Sequence, residues 1–318
     1  MAAVAVAVVV AAAVAADSGE TCMRAWTARV LGLLALACAL ASPLAWAQKA
    51  YPSAEDAANA FTDALRKADR QALATVLGSN YKQFVSTDGI DRSDIENYLS
   101  AWDKQHKIYN EGDNKAVVSV GDGGWTLPIP LAKHTAGWQF DVAAGADEMR
   151  TRRIGRNELA TMQAILAYYD AQREYSAVDH DHDGIHEYAQ KLVSTKGRHD
   201  GLYWDASAGG EESPLGPLLA QQKPNGQGYH GYRYKILTAQ GPDAPGGAYN
   251  YIIGKRMRAG FAAIAWPVRY GDTGVMSFMV SHAGVVYEKD LGPDTATIAQ
   301  RMTRFNPDST WKKSPVPN

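Results

Sequence analysis

The stretch that decides the fold of this chain is IGRNELATMQAILAYYDAQREY, residues 154–175. Its apolar residues recur every three or four positions and share one stripe, which comprises Ile154, Leu159, Met162, Ile165, Leu166 and Tyr169. This spacing predicts a long α-helix with one apolar face, because side chains three and four residues apart lie on the same side of a helix. We expect that face to be buried against a sheet.

Strand signals follow the helix. Four segments are continuously apolar or alternate between apolar and polar residues, as β-strands do: 232–238, 260–266, 275–280 and 285–288. The tripeptide His282-Ala283-Gly284 predicts a tight turn between the last two strands, and a closing helix is expected over residues 294–302. Residues 153–318 are therefore predicted to form an α+β unit, a long helix backed by an antiparallel β-meander.

Residues 48–152 predict another α+β unit, with short helices followed by a small antiparallel sheet. Ser53 forms a capping pair with Asp56, and Asp69 is the expected cap of the next helix. A third helix and three strands are expected at 93–102, 116–120, 125–131 and 137–140. Segment 125–131 contains two prolines, which cannot donate to a β-ladder, so we expect it to be an edge strand.

The N-terminal region predicts export. A basic lead, an apolar run and a small-x-small site are the three parts of a secretory signal peptide, and they stand at 23–29, 30–40 and 45–47. We expect cleavage between Ala47 and Gln48, which makes residues 1–47 the leader and places the protein outside the cytoplasm, in the periplasm. Residues 1–22 are interpreted as an over-extended start, with Met23 as the initiator.

The leader contains both cysteines of the chain, Cys22 and Cys38. After cleavage no disulfide can form, so stability has to come from buried apolar area. No stable membrane span is expected after cleavage, and the apolar run of the leader is itself shorter than the roughly 20 residues that cross a bilayer.

Composition and motifs argue against several functions. The formal net charge of −2 disfavours nucleic acid as a partner, and neither Gly-x-Ser-x-Gly nor His-Glu-x-x-His occurs in the sequence. Asp272-Thr273-Gly274 spells an aspartic-protease triplet, but that chemistry needs two such carboxylates, so we expect a hairpin turn. Residues 226–231 match a dinucleotide fingerprint but open a strand instead of a helix, which also predicts a turn. No catalytic residue is assigned.

The sharpest local motif is DHDHDG, residues 179–184. Carboxylates at alternate positions followed by glycine can wrap oxygen ligands around a hard cation, so Asp179, Asp181 and Asp183 are the predicted ligands of a Ca²⁺ ion. The motif matches only the first half of an EF-hand loop, because Gln190 occupies the twelfth position. Two alternatives stay open: a solvated acidic turn that ends the long helix, and a transition-metal site made of His180, His182 and His186. No other cofactor is predicted.

Tryptophans mark the first unit. Trp125 and Trp138 lie in predicted strands, and an edge strand beside tryptophans would form a contact surface for a partner. In one alternative the large aromatic residues belong to the core. In another they line the pocket of a hydrolase, which would comprise Trp102, His106, Trp125 and Trp138. A deep pocket holding a histidine or carboxylate with a strongly shifted pKa would favour the enzyme, whereas a filled core would favour binding.

Six phrases in one order along the chain resemble a bacterial secreted family known as domain of unknown function 2950, namely 125–131, 153–159, 200–204, 213–218, 229–233 and 285–292. This resemblance covers nearly all of residues 48–318 and implies export without an assigned activity. In shape, residues 48–152 are similar to the nuclear-transport-factor-like fold. Residues 153–318 are similar to the globular domain of pilins and pseudopilins, some of which bind calcium in a loop after the helix. Fibre formation is not expected, because the helix here is internal and lacks an apolar N-terminal assembly segment.

Together these patterns predict an exported, non-enzymatic envelope protein of two α+β units. It would bind an envelope protein or a small ligand and hold Ca²⁺ as a structural ion. The alternative is a periplasmic hydrolase with the aromatic-lined pocket in the first unit. A third interpretation, assembly with a secretion or pilus machine, rests on the likeness in shape alone.

Overall fold

The computed structural model describes residues 48–84, 92–206, 210–217, 226 and 228–315. The chain divides into two compact units, of which unit 1 ends at Met149 and unit 2 begins at Arg150. The predicted α+β class is confirmed, with a long helix followed by a β-meander. The predicted signal peptide, residues 1–47, lies outside the described residues, so export stays a prediction. None of the described helices has the length and apolar composition that a membrane span requires.

Unit 1 begins with helices, and N-caps mark the start of the first two. They are α1 (Ala54–Arg66), α2 (Arg70–Leu77) and α3 (Arg92–Lys104). Ser53 Oγ accepts a hydrogen bond from the backbone N–H of Asp56 at 3.0 Å, and Asp69 Oδ1 accepts from the first N–H groups of α2. These bonds satisfy donors that a helix start leaves free. The two predicted caps are therefore confirmed.

The sheet of unit 1 is antiparallel and covers the helices. Its strands are β1 (His106–Asn110), β2 (Lys115–Val120), β3 (Trp125–Thr126), β4 (Leu131–His134) and β5 (Gly137–Phe140). The order is β1-β2-β4-β5, and β3 also pairs with β2. The core between sheet and helices includes Phe61, Tyr98 and Phe140, all nearly inaccessible to solvent.

Two strand predictions in unit 1 need correction. Segment 125–131 is not one strand, because Pro128 and Pro130 lack the N–H groups that a ladder requires. Leu127, before Pro128, and Ile129, between the two prolines, turn into the core and are almost completely buried. Strand β1 was not predicted, since its exposed, polar sequence shows little apolar alternation.

Helix α4 (Val142–Tyr175) is longer than the sequence pattern indicated. It starts at Val142 instead of Ile154, so residues 145–153, which were expected to close the first unit, are helical. Asp141 caps it, because its Oδ1 accepts from the N–H of Ala144 at 2.9 Å. The first turns have mostly charged and small residues and no continuous apolar stripe, which explains why periodicity did not reveal them.

Unit 2 contains the rest of α4, the helix α5 (Thr295–Arg301) and most of the strands. These strands are β6 (Tyr232–Leu237), β7 (Ala239–Gln240), β8 (Tyr249–Asn250), β9 (Ile252–Ile253), β10 (Arg256–Met257), β11 (Ala262–Pro267), β12 (Met276–Ser281), β13 (Val286–Asp290), β14 (Arg304–Phe305) and β15 (Lys312–Lys313). The main sheet has the order β15-β13-β12-β11-β6 and is antiparallel throughout. Strand β11 pairs with β12 and β6 and is buried along its whole length.

The apolar face of α4 packs on this sheet. Ile165 and Tyr168 are buried completely or nearly so, and the Tyr168 hydroxyl donates to the carbonyl of Ala262 in β11 at 3.1 Å. Glu158 Oε1 accepts from the backbone N–H groups of Val275 and Met276, where β12 begins. Leu159 was expected in the buried stripe, but its side chain is 49 % exposed. This member of the predicted stripe therefore faces solvent.

Two glycines of α4 form a matched pair of substitutions, because Gly145 lies close to Ile129 of unit 1 and Gly155 faces open space. A Cβ at Gly145 would lie 2.8 Å from Cγ1 and 3.0 Å from Cα of Ile129, whereas a Cβ at Gly155 meets no described atom within 4 Å. We expect Gly155→Ala to raise the free energy of unfolding by about 0.5–1 kcal/mol, because alanine lowers the entropy cost of helix formation. We expect Gly145→Ala to lower it by about 1–3 kcal/mol through overpacking. Urea unfolding followed by circular dichroism measures both, and equal effects of the two substitutions would contradict the close contact between Gly145 and Ile129.

Candidate functional site

The segment that follows α4, residues 176–206, contains no helix in the structure. It contains most of the side chains of unit 2 that could hold a metal ion. It is tied to α4 by Gln172, whose side chain is completely buried. The Gln172 Oε1 accepts from the N–H of Ala189 at 2.9 Å, and Nε2 donates to the carbonyl of Ala189 at 2.8 Å. The hydroxyl of Tyr175, the last residue of α4, donates to the carbonyl of His199 at 2.7 Å. The end of the helix therefore positions both halves of the segment.

Residues 179–184 form a tight turn that we call the acidic loop. Asp179 Oδ2 accepts from the N–H of Gly184 at 2.7 Å, and Asp183 Oδ1 accepts from the N–H of Ile185 at 2.9 Å. Gly184 has φ +82°, a conformation that favours glycine. The turn brings one carboxylate oxygen each of Asp179, Asp181 and Asp183 within 4.8 Å of one another. The three predicted calcium ligands thus lie together.

A guanidinium group lies against this acidic loop. Arg256, in β10, contacts Asp181 Oδ2 at 3.3 Å, Asp183 Oδ2 at hydrogen-bond distance and Glu187 Oε1 at 3.7 Å. Among the described residues, Asp179 Oδ1 and Glu187 Oε2 are buried atoms that lack a hydrogen-bond partner. Arg256 therefore neutralises part of the loop's charge but leaves two buried carboxylate oxygens unsatisfied.

The pKa values of the two carboxylates with buried, unpartnered oxygens move in opposite directions. The N–H of Gly184 is the main cause that lowers the pKa of Asp179, because it stabilises the carboxylate. Burial is the main cause that raises the pKa of Glu187, and the negative charge of Asp181 adds to it. A negative charge is thus favoured at Asp179 and disfavoured at Glu187.

Position 190 does not complete an EF-hand. The side-chain amide of Gln190 donates to the carbonyl of Lys255 at 2.9 Å and is used there. Instead of a second helix, Tyr188 forms a β-bridge with Met257, the neighbour of Arg256. The acidic loop is therefore an isolated loop attached to β10.

A second cluster of metal-ligating side chains consists of His180, His199 and Glu211. One ligand atom of each lies within 4.8 Å of the others, and His199 Nδ1 lies 3.7 Å from Glu211 Oε2. His182 and His186, which the sequence suggested as partners of His180, do not belong to this cluster; His186 Nδ1 contacts the carbonyl of Ser176 at 2.9 Å. His199 and Glu211 were not predicted, because no short motif links residues so far apart in the chain.

Aromatic rings surround this histidine cluster. His180 stacks on Tyr175 with ring centroids 4.1 Å apart, and His199 stacks on Trp204 at 4.1 Å with an interplanar angle of 12°. Burial is the main cause that lowers the pKa of His180, although the charge of Glu211 partly opposes it. The His180 imidazole is thus favoured in its neutral form, in which a ring nitrogen can accept a proton or coordinate a metal.

A cavity of about 540 Å³ lies beside both clusters. Asp181 and Glu187 line it from the acidic loop and its flank, and His180 and His199 line it from the histidine cluster. Its size falls within the range of about 300–1,000 Å³ that small-molecule sites have. The wall also includes Arg198, so the lining presents groups of both charges and suits a polar ligand.

Asp200 also lines this cavity. Burial alone would raise its pKa, but hydrogen bonds from Lys191 Nζ and from the N–H and hydroxyl of Thr195 outweigh burial and hold the pKa at about 2. The ionised carboxylate thereby closes the turn that contains Arg198 and His199.

The aromatic residues of unit 1 are packed together. Trp102 is buried and stacks flat on His106, with ring centroids 3.9 Å apart and an interplanar angle of 6°. Trp125 and Trp138 are half-buried and pack against the core. A cavity of about 350 Å³ in unit 1 is lined by other residues, among them Asp69. Nothing in this packing supports the hydrolase pocket, and the contact surface at Trp125 and Trp138 stays a prediction.

The two turn predictions are consistent with the structure. Asp272-Thr273-Gly274 lies in the connection between β11 and β12, and the Asp272 carboxylate pairs with Arg153 and, at 2.6 Å, with Arg269. Burial would raise the pKa of Asp272, but these guanidinium groups lower it. At the other motif, His230 and Gly231 both have positive φ and form the turn that enters β6.

Comparison with known proteins gives one match. A family model described as a protein of unknown function, DUF2950, covers residues 48–314. No curated protein and no solved structure matches the chain. The likenesses of the two units to the nuclear-transport-factor-like and pilin folds therefore stay predictions from sequence.

The Gln172 anchor can be tested with two glutamines of the same helix. Gln172→Met keeps the size of the side chain but leaves the N–H and C=O of Ala189 without partners. We expect it to lower the free energy of unfolding by about 2–4 kcal/mol, since each unsatisfied buried group costs about 1–3 kcal/mol. Gln163→Met, at an exposed position of α4, is the control and should change it by less than about 0.5 kcal/mol. Urea unfolding measures both, and a small effect of Gln172→Met would contradict the anchor.

The low pKa of Asp200 predicts a pH-dependent contribution to stability. Because its folded-state pKa of about 2 is below the value of about 3.9 expected in the unfolded chain, its stabilisation is present above about pH 4 and is lost as the pH falls toward 2. We expect Asp200→Asn to lower the thermal midpoint at pH 7 and to differ progressively less from the native protein below pH 4. Asp113→Asn, at an exposed position, is the control. A difference that persists unchanged at pH 3 would argue against this contribution.

Proposed function

Because the chain belongs to the DUF2950 family, whose function is unknown, we propose a function from the geometry of unit 2. The protein is an exported, non-enzymatic protein of the bacterial envelope that binds a partner or a small polar ligand. Ca²⁺ bound by Asp179, Asp181 and Asp183 stabilises the acidic loop beside the ligand cavity. The convergence of these three carboxylates at the edge of a cavity is the observation that carries the proposal.

The unsatisfied oxygens of the loop support calcium binding. Buried polar atoms nearly always have partners, so Asp179 Oδ1 and Glu187 Oε2 both favour an additional positive ligand. Ca²⁺ accepts six to eight oxygens in flexible geometry, which suits carboxylates presented by a short turn. Backbone carbonyls and water would complete its coordination.

Arg256 sets the expected strength of binding. Its guanidinium already pairs with Asp181 and Asp183, so Ca²⁺ has to compete with a resident positive charge. The loop also lacks the bidentate glutamate of an EF-hand. Both features favour a weak site, with a dissociation constant of roughly 10⁻⁴–10⁻³ M, as in extracellular calcium modules.

Calcium would act on the cavity through its wall. Asp181 and Glu187 face both the acidic loop and the cavity, so a cation at the loop fixes the position of two cavity-lining carboxylates. The neighbouring Arg198 supplies a positive charge, and the His199 ring supplies nitrogens that can form hydrogen bonds. A ligand with both anionic and cationic or hydrogen-bonding groups fits such a lining.

Calorimetric titration of the chain starting at Gln48 with Ca²⁺ tests the proposal. We expect heat of binding in the millimolar range, and we expect Asp181→Asn to weaken binding at least about 10-fold by removing one charged ligand. Arg256→Gln should tighten binding, because it removes the competing guanidinium. Asp170→Asn, at an exposed position of α4, is the control and should leave binding unchanged.

The absence of heat at millimolar Ca²⁺ in the folded native chain would rule out calcium. The acidic loop would then be a turn whose charge Arg256 neutralises. A separate thermal-shift screen of polar small molecules tests the cavity itself, because a ligand that binds at the cavity raises the thermal midpoint with or without Ca²⁺.

A further inference from the structure

We propose that His180, His199 and Glu211 bind a divalent transition metal of the zinc type, with an open coordination position toward the cavity. This site is separate from the acidic loop and does not depend on calcium. Its ligand set differs from the one that the sequence suggested, since it includes neither His182 nor His186.

The spacing of the three side chains suits a metal ion. One ligand atom of each lies within 4.8 Å of the others. His199 Nδ1 and Glu211 Oε2 are 3.7 Å apart, too far for a hydrogen bond. Two ligands at about 2.1 Å from a tetrahedral Zn²⁺ lie roughly 3.4 Å from each other. A small movement of exposed side-chain ends would therefore close the site around an ion.

Contacts outside the cluster already orient its ligands. His180 Nε2 lies 3.1 Å from the carbonyl of Tyr175, so its N–H can donate there and leave Nδ1 free for a metal. Histidine ligands usually donate their second nitrogen to a carbonyl or carboxylate in this way. The stacking of the His180 ring on Tyr175 fixes its plane.

The other two ligands are held through the same pair of aromatic residues. The hydroxyl of Tyr175 donates to the carbonyl of His199, and the His199 ring stacks on Trp204. The indole N–H of Trp204 donates to the carbonyl of Glu211 at 2.9 Å. Tyr175 and Trp204 together thus position all three ligands before a metal arrives, which lowers the cost of ordering them.

The chemistry of the ligands selects the class of metal. Two imidazoles and one carboxylate suit Zn²⁺ and related transition metals, whereas Ca²⁺ prefers oxygen ligands only. Three protein ligands leave at least one position of a tetrahedral ion for an outside donor. His180 and His199 line the cavity, so that donor would come from water or from a ligand with a carboxylate or similar group bound there.

The alternative is an ion pair between a protonated His199 and Glu211, with His180 as a neighbour. The side chains of His199 and Glu211 are 41 % and 53 % exposed, and exposed pairs of this kind are common. If the three side chains form only this ion pair and do not converge on an ion, Zn²⁺ binds the chain no more tightly than it binds a single exposed histidine. Metal binding therefore distinguishes the two interpretations.

The test is a calorimetric titration with Zn²⁺ of the chain starting at Gln48, carried out with excess Ca²⁺ present so that the acidic loop does not contribute. Co²⁺, titrated separately, reports coordination by imidazole through its visible absorption bands. We expect His199→Gln and Glu211→Gln each to weaken Zn²⁺ binding by more than about 100-fold, since second-shell changes alone cost about 10- to 100-fold. His182→Asn and His186→Gln are matched controls on the same segment and should leave binding unchanged.

Thermal unfolding shows that the variants fold. Zn²⁺ should raise the thermal midpoint of the native chain and of both control variants but not that of His199→Gln, whose midpoint without metal should stay close to the native value. No Zn²⁺ binding by the native chain would overturn the proposal, as would binding that survives in His199→Gln or that is lost in His182→Asn. Asp181→Asn should bind Zn²⁺ normally, which separates this site from the calcium proposal.

Discussion

The buried amide of Gln172 makes the interaction on which the candidate site of unit 2 depends. It pairs with both backbone groups of Ala189, so a segment without regular secondary structure is bonded to the helix as a strand would be bonded to its neighbour. An amide is suited to this role because it has a donor and an acceptor in one plane. The acidic loop lies between Gln172 and Ala189, so this pair closes the base of the loop. Both the proposed calcium site and the cavity wall therefore depend on one side chain of α4.

Local patterns in the sequence predicted the elements whose determinants are local. The caps at Ser53 and Asp69 involve atoms two or three residues apart, and the central strands of the meander, such as β11, are apolar along their whole length. The first turns of α4 could not be predicted in this way, because their burial is partial and their side chains are mostly charged. The sequence showed that Pro128 cannot donate to a β-ladder, but it did not show that the strand would be interrupted there. The prolines end the strand and turn its neighbours inward, which only the tertiary packing shows.

In the candidate site, too, local sequence patterns predicted some residues and not others. Asp179, Asp181 and Asp183 were identified from their spacing, because a turn of a few residues is enough to bring them together. Arg256, which pairs with two of them, comes from a strand far along the chain and leaves no trace in the motif. His199 and Glu211 are also brought together by the path of the chain, through Tyr175 and Trp204. Aspartate and histidine alternate in residues 179–183, and the neighbours Asp179 and His180 lie in different clusters. One short segment therefore contributes ligands to two clusters of different chemistry.

The predicted mature chain contains no thiol, and this has a practical consequence at the cavity. Val178 lines the cavity and its side chain is 44 % exposed, so a cysteine introduced there would be the single reactive sulfur of the protein from Gln48 onward. A fluorophore attached to it would sense the polarity of the cavity mouth without background labelling elsewhere. Occupancy of the cavity could then be followed optically in solution, for compounds whose identity is not known beforehand.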